Sequence, residues 1–322
     1  MVKISNVTVL GAGTMGHGIA QLCAQSGYKT VVVATRMESL KRAEQYIKRN
    51  LELFKQKGLL SDVDIEVIMS NLSYETNVGK AVKDADFVIE SVTEDVEVKR
   101  RVLQETDANA PSHAIVGSNT STIRISLLAS FTKRPHMVIG THFWNPPHIM
   151  PLVEIVKTQY TTDEVINITK AFIESLGKIP VVCKDTPGFL GVRLQAAIVL
   201  EAIRMLEEGI ASAEDIDTAV KLTLGLRYPL FGPLRVVDLG GLDVFYNAYT
   251  ILYSETGKEH FKPPELLKKK VEARELGIKT LKGFYTYTPE EVDKITRLRD
   301  EWTLDFLIKS GLLKVKKGRK EG

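Results

Sequence analysis

The apolar run Val7-Thr8-Val9-Leu10 passes without a break into Gly11-Ala12-Gly13-Thr14-Met15-Gly16 and then into a stretch of helical pattern, residues 17–26. A strand, a glycine turn and a helix in that order leave little choice of fold, because each glycine answers a separate steric demand. Gly11 permits the tight turn, Gly13 lets the backbone approach a pyrophosphate, and Gly16 lets the helix pack closely on the strand. The helix start then offers free N–H groups and the positive end of its dipole to phosphate. With a second strand following at residues 29–34, the segment predicts a dinucleotide cofactor held by Gly11, Gly13, Thr14, Met15 and Gly16.

The remaining pattern extends this start into a sheet. Residues 37–57 read as an amphipathic helix and the region around Asp62 and Asp64 as a linker. Strands follow at 86–90, 114–117, 137–142, 151–157 and 179–183, and beyond Asp185-Thr186-Pro187-Gly188-Phe189 helical periodicity takes over, first at 194–209 and 213–222 and then on to 313. The expected class is α/β: an N-terminal Rossmann-type doubly wound sheet over residues 1–184 and an all-helical C-terminal domain over 185–322.

Composition narrows the function classes. No apolar run approaches the ~20 residues of a membrane span, and the start Met1-Val2-Lys3-Ile4 leaves no room for a signal peptide, so a soluble cytoplasmic protein is expected. The net charge of +3 does not call for a nucleic-acid partner, and the basic tail at 314–320 reads as a solvated end. Cys23 and Cys183 have neither metal nor redox spacing and read as buried free thiols; no metal is expected.

Polar residues stand where strands should end. His142 closes an apolar run and is followed by Phe143-Trp144-Asn145-Pro146, and Glu154 interrupts the run Leu152-Val153-Glu154-Ile155-Val156. Singly, His142 reads as a satisfied core histidine and Glu154 as an edge-strand residue facing water. Together, on successive strands, they suggest a carboxylate holding an imidazole in one tautomer, a general base for an alcohol proton. Ser118-Asn119-Thr120-Ser121 also falls at a strand end and reads either as a capped turn or as contacts to cofactor and substrate, through Asn119 and Ser121. Glu90, Glu94 and Lys99 read either as a solvated helix start or as contacts to a ribose.

The segments 11–16, 90–99, 118–121, 142–146, 152–155, 185–189 and 283–285 together resemble the ordered motifs of the 3-hydroxyacyl-CoA dehydrogenase family, over nearly the whole chain. Gly225-Leu226-Arg227-Tyr228, Phe231-Gly232-Pro233 and the terminal stretch 297–313 are also similar to its λ-crystallin and gulonate dehydrogenase branch. The resemblance implies a nicotinamide-dependent oxidation of a 3-hydroxyacyl-CoA, with His142 as catalytic base and Glu154 orienting it. It implies Ser121 and Asn145 on the reacting substrate, Glu94 and Lys99 at the nicotinamide-side ribose, and Asn50 and Lys57 near the CoA portion. It also implies a C-terminal domain that caps the crevice and forms a homodimer. A free 3-hydroxy acid such as gulonate or carnitine is the alternative substrate.

Two positions depart from the family pattern. Val192 stands where the family has an asparagine before Arg193, so the acyl pocket is altered or another donor compensates. Ala34, followed by Thr35 and Arg36, replaces the aspartate that accepts from the NAD ribose. Loss of that carboxylate next to a hydroxyl and a cation turns the expectation from NAD toward NADP, unless Arg36 points to solvent.

Overall fold

The computed structural model describes residues 4–313; the basic segment 314–320 lies outside them. The chain divides into two compact units, Met1–Val199 and Leu200–Gly322.

The first unit is built on eight strands: β1 (Asn6–Leu10), β2 (Lys29–Val33), β3 (Leu72–Glu75), β4 (Phe87–Glu90), β5 (Ile115–Ser118), β6 (Val138–Phe143), β7 (Leu152–Lys157) and β8 (Ile179–Lys184). Their order in the sheet is β3-β2-β1-β4-β5-β6-β7-β8. The first six are parallel, β7 runs antiparallel to β6, and β8 is parallel to β7. Helices α1 (Gly16–Gln25), α2 (Met37–Gln56), α3 (Asp62–Ser70), α4 (Val78–Ala81), α5 (Val96–Asn109), α6 (Ile125–Ala129) and α7 (Asp163–Ser175) connect them, and α8 (Gly191–Glu207) begins in this unit and ends in the next.

Valine and isoleucine dominate the central strands because both faces of the sheet are covered. On one face Val7, Val9 and Phe87 meet Ile19 of α1 and Phe172 of α7, with the Phe87 and Phe172 rings stacked at 4.5 Å. On the other, Leu10 and Val88 meet Leu103 of α5 and Leu128 of α6. Cys23 and Cys183 are buried and free, and burial raises both thiols, that of Cys183 to about 11.

Two elements differ from the sequence expectation. The supposed linker at Asp62 and Asp64 is helix α3: Ser61 Oγ accepts from the Asp64 amide while the Asp64 carboxylate accepts from the Ser61 amide, a reciprocal cap. Strand β3, only four residues long and half-exposed, has too little apolar pattern to be read in advance.

The described part of the second unit is helical: α9 (Ala213–Leu222), α10 (Leu224–Arg227), α11 (Pro233–Gly240), α12 (Leu242–Thr256), α13 (Glu265–Glu272) and α14 (Pro289–Lys309) follow the end of α8. Its organising polar group is Asp238 of α11, fully buried, which accepts from the Phe284 and Tyr285 amides at 2.9 Å each and from the Tyr287 hydroxyl at 2.8 Å. A Cβ at Gly283 would stand 2.2 Å from the Asp238 carboxylate, so the Gly283-Phe284-Tyr285 segment serves this packing. No helix among the described residues is long and apolar enough to cross a membrane.

Candidate active site

The strand order reverses between β1 and β4, and open parallel sheets bind ligands at the carboxyl ends of the strands beside such a point. A cavity of about 700 Å³ opens there, lined by Gly11, Gly13, Thr14, Thr35, Ser39 and Arg42 among others. Gly11 has φ +110°, and a Cβ on it would lie 2.2 Å from the Ser91 carbonyl oxygen; a Cβ on Gly16 would lie 1.8 Å from the Gly11 carbonyl oxygen. A Cβ on Gly13 would meet nothing within 4 Å. Two glycines therefore close the turn and the helix contact, and the third leaves room facing the cavity. Among the described residues no side chain caps the start of α1, and although the His17 amide donates to the Gly13 carbonyl at 3.2 Å, the amides of Met15 and Gly16 stay available to an anion. The residues present fit the pyrophosphate of a dinucleotide.

The second half of the site is a cavity of about 390 Å³ that shares Val92 with the first and is lined by His142, Ser121, Asn119, Asn145, Glu94 and Met15. Antiparallel pairing of β6 and β7 sets His142 directly opposite Glu154. His142 Nδ1 donates to Glu154 Oε2 at 2.6 Å, which leaves Nε2 unprotonated in the neutral ring, and Ser121 Oγ donates to that nitrogen at 3.2 Å. Glu154 is fully buried, so it does not face water as a lone edge residue would. Burial pushes its carboxyl up, but the bond from His142 and the amides of Gly191 and Leu190, both at 2.9 Å from Oε1, outweigh this and hold it below its ordinary range. Those amides leave the turn in which Gly188 and Phe189 have φ +74° and +47°. The left-handed phenylalanine costs on the order of 1–3 kcal/mol, sustained by the packing around it. Phe189 and Trp144 flank the His142 ring at 5.8 and 5.3 Å, and Trp144 Nε1 is buried without a hydrogen-bond partner among the described residues.

A second buried network presents Ser121. Lys99, 1% exposed, pairs with the fully buried Glu90 at 2.7 Å and with Glu94 at 3.2 Å. Glu94 Oε1 accepts from the Thr120 hydroxyl and from the Ser121 and Thr122 amides, fixing the loop that carries Ser121. Burial raises the Glu94 carboxyl, but Thr120 and Lys99 bring it below its usual value. Ser118 donates to Glu90 at 2.5 Å. Asn119 accepts from the Phe143 amide at 2.8 Å and thereby ties β5 to the end of β6 beside His142.

The sequence candidates separate into two groups. His142, Glu154, Ser121, Asn145, Asn119, Glu94 and Met15 gather around one cavity, and Gly11, Gly13, Thr14 and Thr35 around the other. Lys99 is buried behind Glu94, and Gly16 lies beneath the turn. Arg36 is exposed at the start of α2 and lines neither cavity. Asn50 donates to Gln21 at 3.0 Å and Lys57 is exposed at the far end of α2; neither lines a cavity with the pair. Sequence reasoning missed Arg42, Gln195 and the two backbone amides on Glu154. Gln195 joins Val192 on the wall of the cavity that holds His142, one helical turn along α8. The spacing Ser39, Arg42, Tyr46, which puts three polar residues on one face of α2, was the available signal for Arg42.

Residues 6–186 match the family model described as 3-hydroxyacyl-CoA dehydrogenase, NAD binding domain, and residues 188–287 match 3-hydroxyacyl-CoA dehydrogenase, C-terminal domain. The chain is 37% identical to a probable 3-hydroxybutyryl-CoA dehydrogenase of Deinococcus radiodurans over 87% of its own length and 99% of the relative's. It is 38% identical to the mitochondrial hydroxyacyl-coenzyme A dehydrogenase of Rattus norvegicus, covering 89% and 92%. A crystal structure of a 3-hydroxyacyl-CoA dehydrogenase from Archaeoglobus fulgidus superimposes with a TM-score of 0.81 at 38% identity, covering 96% of this chain and all of that one.

Proposed function

The chain belongs to the 3-hydroxyacyl-CoA dehydrogenase family, and from that premise we propose that it oxidises a 3-hydroxyacyl-CoA at C3 to the 3-oxoacyl-CoA and runs in reverse when reduced cofactor is in excess. One observation carries the reading: an imidazole whose Nδ1 is locked by a buried carboxylate, and whose unprotonated Nε2 is within hydrogen-bond reach of Ser121, faces a cavity that shares a wall with the dinucleotide crevice. A nicotinamide dinucleotide, when bound, supplies the hydride acceptor. His142 Nε2 takes the hydroxyl proton, and Glu154 stabilises the imidazolium that results. Ser121 and Asn145 donate to the oxygen as it becomes a carbonyl. General acid–base assistance of this kind gives about 10²–10⁴-fold, so positioning by the cavity walls has to supply much of the remainder.

The cofactor reading is NADP(H) used at least as well as NAD(H), supported by Ala34 at the end of β2 and by the hydroxyl of Thr35 on the cavity wall. The homodimer belongs to the same proposal and draws on exposed apolar side chains of the second unit, among them Ile203, Leu206, Leu234, Val244 and Ile251. A second reading, oxidation of a free hydroxy acid, draws on Val192, an apolar residue on the catalytic cavity wall.

Steady-state turnover separates the two substrates. Remote contacts to CoA add binding energy that can be used at the reacting carbon, so kcat/KM for 3-hydroxybutyryl-CoA should exceed that for free 3-hydroxybutyrate or gulonate by about two orders of magnitude. Equal or reversed values would move the protein to the free-acid reading.

A further inference from the structure

The wall of the dinucleotide cavity that α2 contributes carries a group of residues with no assigned work. Ser39, Arg42 and Tyr46 sit at helical spacing and face the cavity together with Thr35 from the end of β2 and Thr76 from the end of β3. His17 stands across from them: its Nδ1 donates to the Gly13 carbonyl at 2.8 Å, and its ring lies 5.2 Å from that of Tyr46. This end of the cavity therefore combines one guanidinium with four hydroxyls, next to the glycine turn.

Its charge balance is unusual for a site that would hold only ribose hydroxyls. Among the described residues lining the cavity there is no aspartate or glutamate. Among the described residues no carboxylate lies within 4.0 Å of Arg42, and its hydrogen bond from Nη2 to Ser39 Oγ is long at 3.4 Å. Glu75, at the end of the neighbouring strand, turns Oε1 into its own loop, where it accepts from the Thr76 and Asn77 amides at 2.7 and 3.0 Å. A ribose with free hydroxyls gains from a carboxylate acceptor, which is missing. A guanidinium fork flanked by hydroxyl donors instead matches a tetrahedral phosphate, two of whose oxygens take the parallel N–H bonds while the others meet the hydroxyls.

We propose that Arg42, assisted by Ser39 and Thr35, forms the subsite for a phosphate on the 2′-position of the cofactor's adenosine ribose. This rests on the NADP reading above and transfers the recognition from Arg36, which is exposed and off the cavity wall, to a residue one turn into α2. Tyr46 and His17 bound the same wall. A hydroxyl in place of the phosphate cannot use the charge of Arg42, so discrimination between phosphorylated and unphosphorylated ribose depends on that one side chain.

Titration calorimetry on the full-length protein tests this with two fragments, 2′,5′-ADP and 5′-AMP, on the unmodified chain and on Arg42→Ala, Arg42→Lys and Arg36→Ala. Arg42 is exposed, so the substitutions leave the fold intact, and thermal melting checks it. The expected result is tighter binding of 2′,5′-ADP than of 5′-AMP by about tenfold or more, lost in Arg42→Ala and partly kept in Arg42→Lys, with 5′-AMP affinity unchanged. Arg36→Ala should stay within about twofold of the unmodified protein. A preference for 2′,5′-ADP that survives Arg42→Ala, or that is lost in Arg36→Ala instead, overturns the subsite while leaving the NADP reading standing. Equal affinities, or a preference for 5′-AMP, in the unmodified protein overturn both.

Discussion

Replacing Glu154 by glutamine changes one atom and, by the geometry around it, should reverse the proton arrangement of His142. Glu154 Oε1 accepts from two backbone amides at 2.9 Å, and Oε2 accepts from His142 Nδ1 at 2.6 Å. The carboxamide of glutamine has one acceptor end, and the amides of Leu190 and Gly191 claim it, because an NH₂ placed there would face two donors. The NH₂ then points at Nδ1, which has to become the acceptor, and the ring proton moves to Nε2, the nitrogen that takes the substrate proton in the proposed reaction. Loss of the carboxylate charge alone would remove a charge-assisted bond of about 1.5–3 kcal/mol, or about 10–150-fold in rate. Loss of the general base removes about 10²–10⁴-fold. The second effect contains the first, so kcat for 3-hydroxybutyryl-CoA oxidation, followed by the absorbance of the reduced nicotinamide, should fall by about 10²–10⁴-fold with cofactor affinity unchanged. A Glu154→Gln enzyme within about threefold of the unmodified rate would refute both the tautomer argument and the role of the pair.

Three further outcomes follow from distances in the same unit. Gly13→Ala places its methyl in open cavity space, so the protein should fold with an unchanged melting temperature and lose dinucleotide affinity by about tenfold or more, whereas Gly16→Ala, at 1.8 Å from a carbonyl oxygen, should lower the melting temperature itself. Lys99→Met leaves the buried Glu90 without its cation and should cost about 3–5 kcal/mol in urea unfolding, with part of the loss restored by adding Glu90→Gln; an unchanged midpoint in the single variant would disprove the pairing. Because the folded Glu154 carboxyl is held below its ordinary 4.5, its contribution to stability is complete above that value and disappears as the pH falls through the lowered one. Melting temperatures taken from neutral to acidic pH should therefore fall less steeply in Glu154→Gln than in the unmodified protein.

The parts of this molecule that could be read in advance are those where the residue type itself is the constraint. Gly11, Gly13 and Gly16 announce a turn that other residues cannot make, and His142 and Glu154 stand out because each interrupts an apolar strand. Helix α3 was hidden because Asp62 and Asp64 resemble loop residues until Ser61 is recognised as their cap. The antiparallel turn from β6 to β7 leaves no trace in composition, since both strands are buried and apolar whichever way they run. Lys99 reads either as part of a solvated helix start or as a ribose contact, and its burial depends on Glu90 at the end of β4 and Glu94 in the loop that follows. The amides of Leu190 and Gly191 carry no side-chain signal at all, and Arg42 and Gln195 reach their cavities only through helical register.

Because His142 and Glu154 are joined rung to rung across a β-ladder, their spacing is set by backbone geometry and not by the segment 144–151 that links the two strands. That segment carries Trp144 and Asn145 on the wall of the cavity, and the ladder sets where the imidazole and carboxylate stand. Change inside β7 is different in kind. A slip of one residue would bring Val153 or Ile155 opposite His142 and turn Glu154 to the far face of the sheet. The proposed proton acceptor is thus held by sheet register, whereas Asn145, the proposed contact to the reacting oxygen, is held by the connecting segment, so the two parts of the chemistry answer to different changes in sequence.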